Sequence, residues 1–316
     1  MGAAAVTHNR TLLEKADLAL ADLTANGGLL APAQSQKFMR IMINEAVVMK
    51  MATVVPMRAH KQVIEKIRFG SMILRRGTEA RALAEADRSK PDTSAVELDA
   101  KLFKGEVRLN NEVLEDTIEK GQLRQTVMQL MAERIAFDMD LVIVQSDVSS
   151  PDPVFSAFNG LLAGVTSNTY DALTQPSSKV IWDRMVKTMP TEFMRNRSAL
   201  RILTSIDSEL DYRNTLAERA TAVGDKFLEG NAPVVYAGIP IVGVPAFPEN
   251  LGVGSNSTNA LLIDPKNINV GIWREIRIET DKLVSEGVLI IVATLRMDVK
   301  FAHEPAVVRA TNIKVA

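Results

Sequence analysis

Apolar and polar residues alternate most clearly near the end of the chain. Val288 to Ala293 is a continuous apolar run; beyond it Leu295, Met297, Val299 and Phe301 alternate with Arg296, Asp298 and Lys300. This predicts one long strand over 288–301, buried at its apolar end and half-buried at its alternating end. A second period-2 stretch sets Val96, Leu98, Ala100 and Leu102 against Glu97, Asp99 and Lys101. With an extended segment at Val63, Ile67 and Phe69, it predicts a long two-stranded arm. Between its strands lie Arg75-Arg76-Gly77-Thr78-Glu79-Ala80-Arg81 and the charged stretch Asp87 to Asp92, so the tip reads as charged. Two strands bury too little surface to be stable alone in water, so such an arm needs a partner.

Helical spacing takes over elsewhere. Val127, Met131, Ile135, Met139 and Val142 fall on one face and predict the longest helix, Ile118 to Ser146, ~43 Å long at 1.5 Å per residue. Asp116-Thr117-Ile118-Glu119 has capping-box spacing at its start; Gly121 is a weak point that allows a short first helix instead. Pro32 to Met51 is helical, after an Ala-rich arm with a weak helix at Leu12 to Leu23. Val180 to Met189 and Ile206 to Leu216 predict two more helices, and Leu200 to Thr204 a strand. Val234 to Val244 holds two short strands around Gly238-Ile239-Pro240. Leu251 to Asn259 reads as a Gly/Ser/Asn loop, Asn269 to Thr280 as loosely alternating strand, and Asp281 to Gly287 as a charged turn. There is no internal repeat. The fold class expected is α+β.

Composition narrows the function. At 316 residues the chain is long enough for about two domains or one large one. With 47% hydrophobic and 24% charged residues, whole-chain disorder is excluded. Lys and Arg number 37 against 38 Asp and Glu, a net charge of −1, which argues against a chain-wide polyanion binder but leaves a local basic face open. Cysteine is absent, which removes disulfides, thiolate metal sites and cysteine nucleophiles together. No run approaches the ~20 apolar residues of a membrane span, so no membrane partner is expected. Met1 to Val6 lacks the basic region of a secretory signal, and Val6 stands where myristoylation after Gly2 wants Ser or Thr.

A search for chemistry returns no site. His8, His60 and His303 are far apart and lack metal-ligand spacing, and metalloprotease, nucleophile-elbow and Walker A patterns are missing. Gly252-Val253-Gly254 fits a flexible loop better than a phosphate cradle. Asp138 and Asp140, two apart on a helix, do not face each other and read as solvated or interface charges. Glu115-Asp116 suits a helix N-terminus. Arg195, Arg197 and Arg201 read as solvated or inter-subunit charges, and the 14 methionines as packing. No catalytic, cofactor-binding or metal-binding residue is expected. What remains is architecture: a long arm, a long helix and exposed strand edges that neighbours must cover.

Several local patterns, in order, resemble the major capsid proteins of tailed bacteriophages, with the HK97-like fold. Gly27-Gly28-Leu29-Leu30-Ala31-Pro32 resembles the entry into the first helix of that family. Val107-Arg108-Leu109-Asn110-Asn111-Glu112-Val113-Leu114-Glu115-Asp116 resembles its strand-to-spine-helix junction. Tyr236-Ala237-Gly238-Ile239-Pro240-Ile241, followed by Val244-Pro245-Ala246-Phe247-Pro248, resembles its A-domain step, and Arg296 to Ala306 its last P-domain strand. The resemblance covers nearly the whole chain.

It implies an N-arm over 1–56, an E-loop over 57–107 lying across a neighbour, a spine helix with the first part of the P-domain over 108–159, an A-domain over 160–260 and P-domain strands over 261–316. It implies a self-assembling icosahedral shell of pentamers and hexamers around double-stranded DNA, held without sequence specificity. A portal, and a separate scaffold or decoration protein, are the further partners implied; little chain precedes the N-arm where some members carry a scaffolding segment. The protein is then expected in the virion, after assembly in the host bacterial cytoplasm. Inter-subunit contacts are expected at the E-loop tip (Arg75, Arg76, Glu79, Arg81) and at the hairpin turn (Asp281, Lys282, Glu286). Members that crosslink covalently use a Lys, an Asn and a Glu. Here the Asn position falls near Gly287 and the Glu position near Thr294, so no isopeptide bond is expected. The alternatives are an encapsulin-type compartment shell, which shares the fold but holds protein cargo, and a soluble α/β enzyme.

Overall fold

A computed structural model describes residues 46–68, 72–76, 82–85, 88–110, 123–218, 233–252, 256–273, 277–283 and 285–315. The start of the chain, the Asp116 capping box and Gly121 lie outside these residues. So do Phe69, Glu79, Arg81, Glu115 and His8.

The predicted long strand is the axis of the first core. It runs over Val288–Phe301 (β12), and its β-branched and aliphatic run suits a pleated surface. One edge pairs with Lys101–Asn110 (β4) in an antiparallel ladder of ten positions, from Lys101↔Met297 to Asn110↔Val288. The other edge takes Ile268–Trp273 (β10) and then Arg277–Leu283 (β11), both antiparallel. Thr53–Met57 (β1) adds a parallel strand outside β10. Burial along β12 reverses the expectation. Val288 to Ile290 are only half-buried, while Leu295, Met297, Asp298, Val299 and Phe301 are buried. The apolar end lies at the hairpin, at the rim of the sheet. The alternating end passes beneath other parts of the chain, so even its polar-looking side is covered.

The long helix, Leu123–Gln145 among the described residues (α2), packs across this sheet. Met131, Met139 and Val142 are buried, and Val127 and Ile135 pack against the core, as the spacing predicts. Ala132 and Ala136 are fully buried and allow close approach. A helix leaves its last carbonyls without intrahelical partners. Here the chain turns back to supply them: Gly160, Leu161 and Leu162 donate N–H bonds of 2.7, 2.8 and 3.1 Å to the carbonyls of Ser146, Ile143 and Val144. A Cβ at Gly160 would stand 2.6 Å from the Ile143 carbonyl oxygen, so only glycine fits there. Gly160→Ala is expected to cost about 1–3 kcal/mol by urea unfolding of the unassembled subunit. A loss within error would mean that the turn has room to move.

The second core is built on a six-stranded mixed sheet. Its order is Thr169–Asp171 (β5), Val308–Lys314 (β13), Ser257–Ile263 (β9), Arg201–Thr204 (β6), Ile239–Gly243 (β8) and Val235–Tyr236 (β7). Ser257 to Asn259, read as loop, begin β9, where Thr258 and Ser257 pair with Ile313 and Lys314. Alternate residues of β6 and β9 serve two cores. Leu203, Leu261 and Ile263 join the core of α2, while Ile202, Ala260 and Leu262 face the helices Lys179–Thr188 (α3) and Ile206–Ala217 (α4). This two-sided burial explains why Ala260 to Ile263 is an unbroken apolar run. Trp182 of α3 and Tyr212 of α4 meet edge-on, with ring centroids 6.0 Å apart. On α4, the helix predicted over Ile206 to Leu216, the buried side chains are Ser208, Tyr212 and Leu216; Ile206 and Leu210 are exposed.

Candidate assembly surfaces

The arm forms where the alternation placed it, but it is shorter. Lys61–Arg68 (β2) and Asp92–Asp99 (β3) pair antiparallel in eight positions, Lys61↔Asp99 to Arg68↔Asp92, a ladder of ~27 Å at ~3.4 Å per residue. The alternation expected to continue to Leu102 is cut at Ala100, whose N–H binds the His60 carbonyl at 3.0 Å. Leu102 belongs to β4 and is exposed. Along the arm Val63 and Ile67 are exposed, so it is unfinished as a monomer. Its tip adds apolar side chains to the charged ones expected: Met72, Ile73 and Leu74 are exposed directly before the exposed Arg75 and Arg76.

The base of the arm is anchored by a buried carboxylate. Asp298, on the side of β12 that reads as polar, is 1% exposed. It accepts the Asp99 N–H at 2.8 Å and the Val299 N–H at 2.8 Å. Burial pushes its carboxyl above the usual range, against these bonds and the charge of Lys300. The Asp99 side chain faces the other way. Lys101, hydrogen-bonded to it at 2.8 Å, holds its carboxyl below the usual range, helped by the Lys61 and His60 charges. His60 Nδ1 lies 3.0 Å from Asp99 Oδ1, and its ring meets Trp273 edge-on. Leu98 and Met57 make the small apolar floor beneath the arm.

Asp138 and Asp140 part company. Asp138 is exposed and pairs with Arg134 at 3.0 Å, as a solvated charge should. Asp140 is 4% exposed, which corrects the expectation. It accepts the backbone N–H groups of Val47, Val48 and Met49 at 2.5, 3.0 and 3.2 Å. These open the short helix Val47–Met51 (α1), the described end of the segment predicted helical from Pro32. Burial pushes the Asp140 carboxyl up, against the three N–H bonds.

On the other side of α2 an apolar cleft of ~450 Å³ opens between the helix and the β4–β12 ladder. Phe103, Ile135, Phe155 and Leu295 form its walls, and Leu102 and Val154 stand exposed at its mouth. Among the described residues no cluster of His, Asp or Glu suits a metal ion, and no helix is long and apolar enough to cross a membrane.

Comparison with known proteins decides what this architecture is. The sequence profile of the phage capsid family matches residues 26–312. The chain belongs to the phage capsid family. YqbE of Bacillus subtilis (strain 168), which carries a prophage-capsid name, is 34% identical over 310 residues, covering 97% of this chain and 99% of YqbE. Among solved structures, the satellite phage P4 procapsid with its size determination protein shares the fold at a TM-score of 0.64 and 15% identity, over 96% of this chain and 98% of that one. The SrpI encapsulin complex from Synechococcus elongatus PCC 7942 does so at 0.59 and 9%, over 84% and 87%. The fold is therefore HK97-like, and the role of this capsid protein is structural: it builds a shell and belongs in the virion.

The described residues among the contacts expected from the sequence fall in two separate places. Arg75 and Arg76 are exposed at the arm tip. Asp281 and Lys282, expected in a turn, sit in β11 opposite Ile290 and Leu289, because the ladder continues to Leu283↔Val288. Glu286 is in the turn itself, and its N–H binds the Leu283 carbonyl at 3.2 Å. The structure keeps the two groups apart: the arm leaves near Asp298, the hairpin closes at Val288. Sequence reasoning read Asp140 as a solvated or interface charge and passed over Asp298 and the apolar triplet at 72–74. Only the triplet carried a local signal, three large apolar residues in an otherwise polar tip.

Proposed function

We propose that the subunit closes into an icosahedral shell of pentamers and hexamers around a double-stranded DNA genome, held without sequence specificity. In this reading residues 1–56 are an N-arm, 57–107 an E-loop whose paired part is 61–99, 108–159 the spine helix and first part of the P-domain, 160–260 an A-domain and 261–316 P-domain strands. The observation that carries it is the projecting two-stranded arm, with its exposed apolar side chains, on a chain of this family. Several such contacts of ordinary size add up around closed rings. Near-neutral charge suits a wall facing packed DNA, since phosphate binding grows with each neutralised charge. A portal at one vertex, a separate scaffold or decoration protein, and assembly in the host cytoplasm complete the reading. The subunit acts as structure, not catalyst.

The test is solution mass by light scattering with negative-stain imaging, first on the chain alone and then with candidate scaffolds from its own genome. Megadalton particles that protect DNA from nuclease are expected. Particles filled with protein cargo would favour a compartment shell, and a monomer under all these conditions would remove the reading. Shell strength is non-covalent in this reading, because the positions of the crosslinking Asn and Glu of other members fall near Gly287 and Thr294. Boiled particles on a denaturing gel should run as a single band at subunit mass; a ladder of covalent oligomers would contradict this.

A further inference from the structure

We propose that the base of the arm is a proton-operated lock: protonated His60 clasps Asp99 and fixes the arm to the sheet, and the clasp loosens when the proton leaves. The lock is a property of the single subunit. Its effect on assembly rests on the shell-building reading.

The arm joins the body through two short segments, Arg58-Ala59-His60 between β1 and β2 and Ala100 between β3 and β4. Whatever sets its angle acts there. The Ala100 N–H ties the segments together through the His60 carbonyl at 3.0 Å, and the Asp99 N–H ties the arm to Asp298 of β12 at 2.8 Å. The His60 side chain spans the same three parts. Its Nδ1 stands 3.0 Å from Asp99 Oδ1 at the end of β3, and its ring meets Trp273 at the end of β10 edge-on, with centroids 5.4 Å apart.

Asp99 is the reason a proton matters. Its Oδ2 is held by Lys101 at 2.8 Å, while Oδ1 is shut off from water and accepts no fixed hydrogen bond among the described residues. A buried carboxylate oxygen without a donor is costly. Imidazolium presents an N–H to it and a charge beside it. A neutral ring with a bare Nδ1 sets two lone pairs against each other, and a neutral ring that keeps Nδ1–H loses the charge. Either form weakens the clasp. Imidazole is the side chain that ordinarily changes charge between about pH 5 and 8. His60 is 49% exposed, so protons reach it.

Other charges face this corner. Arg58 and Lys61 flank His60 along the chain, Lys101 comes from β4, and Arg296 of β12 lies over the Trp273 ring at 4.6 Å. Lys300 faces the buried Asp298. These cations oppose the proton, but Lys61 is paired with Glu97 at 3.1 Å and Lys101 with Asp99. Contact decides, because Coulomb energy falls with distance and salt screens it over ~8 Å.

The chain has two tryptophans, and Trp182 is fully buried in the second core, so an emission change between about pH 5 and 8 reports Trp273. The unassembled subunit should show one such transition, lost in His60→Gln and kept in His303→Gln. Hydrogen exchange reads the mechanical effect. Protection of the Ala100 amide is taken relative to the amides of the β4–β12 ladder, which cancels the intrinsic pH dependence. It should be about threefold higher at about pH 5.5 than at about pH 8, the size expected of a half-exposed ion pair, and level in His60→Gln. Ring closure needs several arms positioned at once, so the assembly rate should fall at least about tenfold over the same range, and not in His60→Gln. Level emission and level exchange in the parent chain would overturn the lock. A transition that survives in His60→Gln and vanishes in Asp298→Asn would move the sensor to Asp298 and overturn it too. A lock that titrates while assembly stays level would overturn its control of assembly. Failure of the parent chain to form particles at any pH would remove the shell-building reading, while the exchange result on the single subunit would still decide the lock.

Discussion

Asp140→Ala is expected to lower the stability of the unassembled subunit by about 3 kcal/mol at neutral pH, measured by urea unfolding. A helix of five residues does not hold itself together in water. Its first N–H groups have no intrahelical acceptor, and here three of them converge on one buried carboxylate. Alanine leaves them facing the core without a partner. Asp140→Asn keeps one acceptor oxygen and should lose less. The pH dependence has a definite sign. Burial raises the Asp140 pKa above its unfolded value, so between the two values the native state binds the proton more tightly. Stability then falls as pH rises through that window and is level above it. Asp140→Asn should remove this slope. If the slope survives, Asp298, also raised, is its source. Asp99 acts oppositely: its depressed carboxyl adds stability that is lost as pH falls through its folded pKa. A loss below about 1 kcal/mol in Asp140→Ala would mean that water reaches these N–H groups and the carboxylate is no anchor.

Asp298→Ala should separate stability from assembly. Two backbone N–H bonds are lost, but so is the burial cost that raises this carboxyl, and the two partly cancel. Urea stability should therefore change by no more than about 1–2 kcal/mol. Amide exchange at Asp99 should nevertheless quicken at least about tenfold, because its acceptor is gone. Particle yield should fall by a similar factor, because the arm no longer leaves β12 at a fixed angle. Unchanged exchange at Asp99 would show that the ladder between β2 and β3 fixes the arm without the carboxylate.

These two aspartates mark the limit of what the sequence discloses. Repeating local patterns were legible: the strand at 288–301, the buried face of α2 through Met131, Met139 and Val142, and the short strands flanking Gly238. Asp298 occupies a polar position in a clean alternation, and nothing within ten residues says that the arm base will cover it. Its partner, Asp99, is 199 positions away. Asp140 has the same difficulty: the N–H groups that donate to it lie some 90 positions earlier. The break at Ala100 is also silent, because β3 and β4 carry one continuous alternation while pairing with different strands. At the tip, charge dominated the composition and hid the triplet at 72–74.

The passage from β3 through Ala100 into β4 has a mechanical consequence. The arm strand runs on directly into a strand bonded lengthwise to β12 over ten positions. Backbone bonds in such a ladder lie across the strands. A neighbour tugging on the arm along this axis therefore loads them in shear, all together, and cannot peel them open one at a time. A shell strained outward by its contents would draw on each subunit where it is hardest to unzip.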